Sequence, residues 1–304
     1  MSRRRQMFAD PGSSPGQALR GATTPCRHLV LGLLSLLLLG CAVAAEPSLE
    51  LKGEWQQGNV IFGRAAPGST VSFNGQAVRV SPDGQFVLGL DRDEGPKALL
   101  TVARTGVATD RREFAVAPRT YDIQRIDGLP PGQVNPPPEA QKRIAQDYRE
   151  VRAARLRDTP LTAFARGFIW PCIGPISGVF GSQRVLNGEP KQPHYGVDVA
   201  LPTGSKVVAP AGGIVSLAVP DMYYTGGTLM IDHGHGLSSA FLHLSKLHVK
   251  HGQEVKQGEL IAEVGVTGRV TGPHLDWRVN WFNARVDAQL LAGPMPVIPD
   301  KQKP

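Results

Sequence analysis

The segment Thr271-Gly-Pro-His-Leu-Asp-Trp-Arg-Val-Asn-Trp281 places a base and a carboxylate on one face of a strand. Side chains alternate along a β-strand, so His274, Asp276, Arg278 and Asn280 share one face and Leu275, Trp277, Val279 and Trp281 the other. Upstream, His194-Tyr-Gly-Val-Asp198 supplies a second imidazole–carboxylate pair, and Phe241-Leu-His-Leu244 adds the imidazole of His243. Imidazole nitrogens and carboxylate oxygens are ligands for a divalent metal, and a metal so held activates water.

These residues must be brought together by strands and turns. In a straight strand His194 and Asp198 would sit about 13 Å apart at about 3.3 Å per residue. Gly196 permits a bend between them, after which Val197-Asp-Val-Ala200 continues as a strand. Alternation places His243 on the face of Leu237, Ser239 and Phe241, in a strand that pairs as a hairpin with the run from Thr228 to Asp232. His233 and His235 fall in the turn of that hairpin and His248 and His251 in a polar loop, and all four read as solvated surface.

The 304-residue chain carries 35 Gly and 26 Pro, a turn-rich composition that points to a mainly β architecture. Residues 29–39 form an uncharged apolar run preceded by Arg20 and Arg27. That pattern is a secretory signal core, too short to span a bilayer comfortably. Cleavage after Ala45 gives an exported soluble protein; Leu38-Leu-Gly-Cys41 resembles a lipoprotein signal, which would anchor the protein through a lipidated Cys41. The formal charge of +7 is concentrated in this leader: residues 1–45 hold five of 33 basic and one of 26 acidic residues, which leaves 28 against 25. A net charge of +3 makes nucleic acid a poor partner. Cys172 would be left without a disulfide partner, and its apolar neighbours mark it as a small buried hydrophobe rather than a nucleophile.

Beyond the signal segment (1–45), residues 46–120 alternate apolar and polar side chains between glycine turns such as Asn74-Gly75 and Asp83-Gly84, the pattern of a small antiparallel sandwich. This stretch holds no histidine and reads as a spacer or targeting module. Residues 121–167 form a Pro-rich linker followed by a helix from about Glu139 to Asp158, with Ile144, Tyr148, Val151 and Leu156 near one stripe and a basic, solvated opposite face. Short strands and glycines return over 168–292, and 293–304 form a tail.

The ordered set His-Tyr-Gly-Val-Asp (194–198), Ala-Pro-Ala-Gly-Gly (209–213), Asp-His-Gly-His-Gly-Leu (232–237), Leu-His-Leu (242–244) and Gly-Val-Thr-Gly-Arg-Val-Thr-Gly-Pro-His-Leu (265–275) resembles the lysostaphin-type, or LytM-like, zinc metallopeptidases. The resemblance covers roughly 168–291 and implies a lysostaphin-like domain of barrel-sandwich hybrid type that cuts peptide bonds of bacterial peptidoglycan. It implies zinc ligands at His194 and Asp198 and catalytic histidines at His243 and His274. The family's third ligand is histidine in a His-X-His motif, and Asp276 stands there. Zinc accepts a carboxylate oxygen at similar reach, but a second negative charge should blunt its Lewis acidity and open the site to other divalent metals. The expected function is a cell-envelope metalloendopeptidase acting on peptidoglycan, exported to the periplasm. The alternative is a degenerate LytM-like module that activates a partner cell-wall hydrolase, including one working in division.

Overall fold

The computed structural model describes residues 49–128 and 136–297. The leader reading of residues 1–45, Cys41, most of the Pro-rich linker core and the end of the tail lie outside them. Within these residues the chain is mainly β, as the glycine-punctuated alternation predicts.

The first module packs two sheets. One contains β1 (Glu50–Lys52), β2 (Val60–Arg64) and β5 (Gln85–Gly89); the other contains β3 (Thr70–Phe73), β4 (Gln76–Val78), β6 (Lys97–Arg104) and β7 (Val107–Ala115). Val60, Ile61, Val71, Phe73, Phe86, Leu88 and Leu100 fill the space between them, all buried. The module is not a detached bead. Gly89 lies so close to the second module that a Cβ there would stand 2.5 Å from Trp281 Cβ, and Phe73 meets the Trp281 ring edge-on at 5.9 Å.

β8 (Ile123–Ile126) runs parallel to β10 (Gln183–Leu186), which also pairs with β11 (Glu189–Pro190), so the chain leaving the sandwich is stitched to the next module before the prolines begin. Helix α1 (Pro138–Arg155) follows, with a proline in its first turn and Arg152 and Arg155 in its last, where they complement the helix dipole.

The second module is built on one large sheet whose main path runs β17 (Glu254–Val255), β14 (Gly213–Met222), β15 (Gly226–Gly234), β16 (Leu237–Leu247), β19 (His274–Trp281), β12 (Val197–Ala200) and β9 (Ile176–Gly178). β13 (Lys206–Val208), β18 (Leu260–Val264) and β20 (Ala284–Val286) attach to its side. One face carries Val215, Leu229, Ile231, Phe241, Trp277 and Val279 into the main core. The opposite face carries Leu217, Met230, Ala240 and Leu242, which α1 covers with Val151 and Ala154. Ile144 and Ala154 of α1 are buried, but Tyr148, expected on the apolar stripe, is exposed. A short helix, α2 (Ala288–Ala292), capped by Asp287, closes the described chain.

Candidate metal centre

The site lies on the α1 side of the large sheet, where β12 and β19 run antiparallel with Asp198 directly opposite Asp276. Like charges at such a cross-strand position repel, so something cationic must lie between or behind them. His194, in the loop entering β12, places Nε2 at 3.0 Å from Asp198 Oδ1 and 3.4 Å from Asp276 Oδ2. Ligand atoms of the three residues all lie within 4.8 Å of one another, and all three residues are buried.

The two carboxylates are backed by glycines. A Cβ on Gly178 would stand 2.3 Å from Asp198 Oδ2, and one on Gly196 would stand 2.2 Å from Asp276 Oδ1. Gly196 is not among the glycines with positive φ; its role is close approach of the carboxylate rather than the special bend expected from the sequence. Behind Asp276, Arg278 Nε donates to both carboxylate oxygens (3.0 and 3.1 Å) and Nη2 donates to Oδ2 at 2.6 Å. Arg184, from β10, stands 3.6 Å from Asp198 Oδ2. Burial disfavours charge on Asp276, but Arg278 and then His194 outweigh it and hold the carboxyl well below the usual range. Burial would likewise lower His194; Asp276 and Asp198 reverse that and raise it above the ordinary imidazole value.

The donor set fits a divalent metal. His194 Nε2 and Asp198 Oδ1 are out of solvent and make no hydrogen bond. Two buried electron-pair donors 3.0 Å apart need a shared cation, either a proton on the imidazole or a metal ion. One nitrogen and two carboxylate oxygens suit zinc and also harder divalent ions.

His243 and His274 close the site from β16 and β19, their ring centroids 5.0 Å apart. All three histidines present Nε2 inward because Nδ1 faces a backbone carbonyl: Val179 for His194 (3.3 Å), Thr267 for His243 (2.9 Å) and Gly272 for His274 (2.9 Å). His274 Nε2 stands 3.8 Å from Asp198 Oδ1. Burial, the largest influence, pushes His243 down to about 4, so the ring is neutral near pH 7.

Simple alternation would have sent His243 elsewhere. Leu242 pairs with Asp276, so the next residue of a regular strand would point to the far face with Phe241. His243 instead has φ of +65°, and the pairing of β16 with β18 is irregular just beyond it. This left-handed residue breaks the alternation and turns the imidazole toward His274. The polar face of β19 is itself covered: Asp276 and Asn280 are as buried as the apolar face. His233 and His235 are not solvated: both are buried, His233 held by Gly212 O (2.7 Å) and Ser239 Oγ (2.9 Å), because residues 159–164 pack over the hairpin turn. His248 and His251 are exposed as expected, His248 Nε2 lying 2.9 Å from Glu263 Oε1. Cys172 is buried, and its thiol is pushed up to about 12 by burial, which removes it as a nucleophile.

Arg278 stands two residues from Asp276 on the same face, a signal visible in the sequence; nothing in the sequence marked Arg184, which arrives from another strand.

The model of peptidase family M23 matches residues 192–288, the stretch that holds His194, Asp198, His243, His274, Asp276 and Arg278. A crystal structure of a putative M23 peptidase from Pseudomonas aeruginosa is 32% identical, superposes with a TM-score of 0.63, and covers 79% of this chain and 96% of its own. The chain belongs to peptidase family M23, a family of metallopeptidases. Among curated relatives, peptidoglycan DD-endopeptidase ShyB of Vibrio cholerae is 45% identical over 96 residues, 32% of this chain and 22% of that protein. Cell division protein DipM of Caulobacter vibrioides is 29% identical over 167 residues, 55% of this chain and 26% of that protein. The match thus spans about a quarter of these relatives' own length.

Proposed function

We propose that this protein is a cell-envelope metalloendopeptidase that hydrolyses an amide in the stem peptides or cross-links of bacterial peptidoglycan. The observation that carries the reading is the buried facing of His194 Nε2 and Asp198 Oδ1 at 3.0 Å beside Asp276, with a neutral His243 whose ring stands 5.0 Å from that of His274. His194, Asp198 and Asp276 would hold zinc or another divalent ion. When bound, such an ion polarises a carbonyl and acidifies a water.

The chain's own residues supply the rest. His243, with Nδ1 donating to Thr267 O, offers the Nε2 lone pair as acceptor for the water proton. His274 presents Nε2 to the same space, where, once protonated, it steadies the negative oxygen that forms at the attacked carbon. Arg278 fixes the rotamer of Asp276 and offsets its charge. The name of ShyB, a peptidoglycan DD-endopeptidase, supports peptidoglycan as substrate, and that of DipM, a cell division protein, supports a role near division.

One observation favours a second reading, a degenerate module that activates another cell-wall hydrolase. Arg278 and Arg184 already offset the two carboxylates, so the cluster has charge balance without a metal. Purified sacculi separate the two. Release of soluble peptides that stops with chelator and returns with zinc or manganese supports the peptidase; no release under any condition, with no bound metal, supports the activator.

A further inference from the structure

Past the metal-type cluster, the same face of β19 continues into a second cationic site that hydrolysis does not use. Arg278 is committed to Asp276. Two residues further, Asn280 Oδ1 accepts from Arg285 Nη1 at 2.5 Å across the β19–β20 hairpin. The Arg285 guanidinium also lies 5.0 Å from the ring centre of Tyr195, the neighbour of His194. From the opposite side, Arg155 at the end of α1 reaches the same hairpin: Nη2 donates to Asn283 Oδ1 at 3.3 Å, and Nε is buried with no partner.

Neither guanidinium forms an ion pair among the described residues. Asp91 is close by, but its Oδ2 accepts from the backbone amide of Arg285 at 2.8 Å. Burial, followed by the like charges of Arg155 and Arg278, lowers Arg285 to about 10. Half-buried guanidiniums that repel one another and have no carboxylate partner favour an anion between them, and their planar fork suits a carboxylate.

We propose that Arg285 and Arg155 form a subsite that receives a carboxylate of the peptide substrate. This rests on the peptidoglycan reading above and adds a position to it. Asp276 and Asn280 are four residues apart in one strand, about 13 Å at about 3.3 Å per residue. An extended peptide covers that span in about four residues. Arg285, paired with Asn280, therefore stands about four residues' length from Asp276, a separation that a short peptide reaching from the cut amide can bridge.

The test is a calorimetric titration of the full chain with a linear stem tetrapeptide, compared with the same peptide amidated at every carboxylate. The free-acid peptide should bind about 10-fold more tightly, the size of one charge-assisted contact. Arg285→Gln and Arg155→Gln should each remove most of that preference and leave affinity for the amidated peptide unchanged. Arg155 sits at a helix end, so its variant keeps the test alive if Arg285→Gln melts early. Equal affinity of the parent for both peptides, or an undiminished preference in both variants, would overturn the proposal; the second outcome would hand the arginines to an acidic partner protein. Acid-selective binding without sacculus cleavage would sink the peptidase and leave the subsite standing, and cleavage without acid preference would do the reverse.

Discussion

Asp198 and Asp276 occupy directly opposed positions on β12 and β19, and the ring nitrogen of His194 lies within 3.4 Å of both. The sheet register itself aims two carboxylates at one point. Their mutual repulsion is offset by His194, Arg184 and Arg278, and it is the feature a bound cation would relieve most.

Restoring the family's histidine should cost stability before it gains chemistry. Asp276→His leaves Arg278, whose side chain is only 24% exposed, without its carboxylate. Breaking such a pair costs about 2 kcal/mol after allowance for that exposure, a melting decrease of roughly 5 °C for a chain of this size. Adding Arg278→Leu should recover most of the loss and widen the preference for zinc over manganese, because nitrogen replaces a harder oxygen donor. Calorimetry and metal competition measure both; an unchanged melting temperature in the single variant would show that the pair carries no such strain.

His243 touches none of the three metal-type residues in the hydrogen-bond pattern, so its loss should separate binding from turnover. His243→Ala is expected to lower sacculus cleavage about 10²- to 10⁴-fold, the range for a lost general base, while bound zinc per chain stays as in the parent. Zinc lost together with activity would make His243 a ligand instead.

The two backing glycines predict a steric effect on ligand placement. Gly178→Ala and Gly196→Ala each put a Cβ inside 2.4 Å of a carboxylate oxygen, which must move. We expect a stability loss of about 1–3 kcal/mol and at least a roughly 10-fold weaker metal affinity, whereas Gly95→Ala, with nothing within 4 Å, should change neither. Metal affinity that is identical across all three variants contradicts this account.

Acid should destabilise the fold through His233. This ring is fully buried, and burial lowers it to about 4, from an ordinary value of 6.5. Between those two pH values the unfolded chain binds a proton that the folded chain refuses, so stability falls as pH drops from about 6.5 to about 4, by ~3 kcal/mol in all. His233→Gln keeps a hydrogen-bonding side chain and removes the titration, so its chemical denaturation midpoint should vary less with pH over that window than the parent's.

Much was legible in the chain because it depends on local periodicity. Alternation along 271–281 put His274, Asp276 and Arg278 on one face, and they share it; Asn-Gly and Asp-Gly turns marked the first module as hairpins, and it is two packed sheets. The conjunction of His194, Asp198, His243 and His274 needed only residue types and order. What stayed hidden depends on contacts between distant segments. The left-handed φ of His243 breaks a rule that a sequence reader applies uniformly. The burial of His233 and His235 comes from residues 159–164, some 70 positions upstream.

The sequence by itself determined the mainly β architecture and which imidazoles and carboxylates are candidates for a metal site, because side-chain period and ligand chemistry are properties of short segments. Only the tertiary structure decided that Gly178 and Gly196 make room for the two carboxylates, that Arg184 and Arg278 offset them, and that Arg155 meets the hairpin carrying Arg285. Charge balance and close approach are set by which surfaces pack together in space, and strand order and register, not any local pattern, fix that.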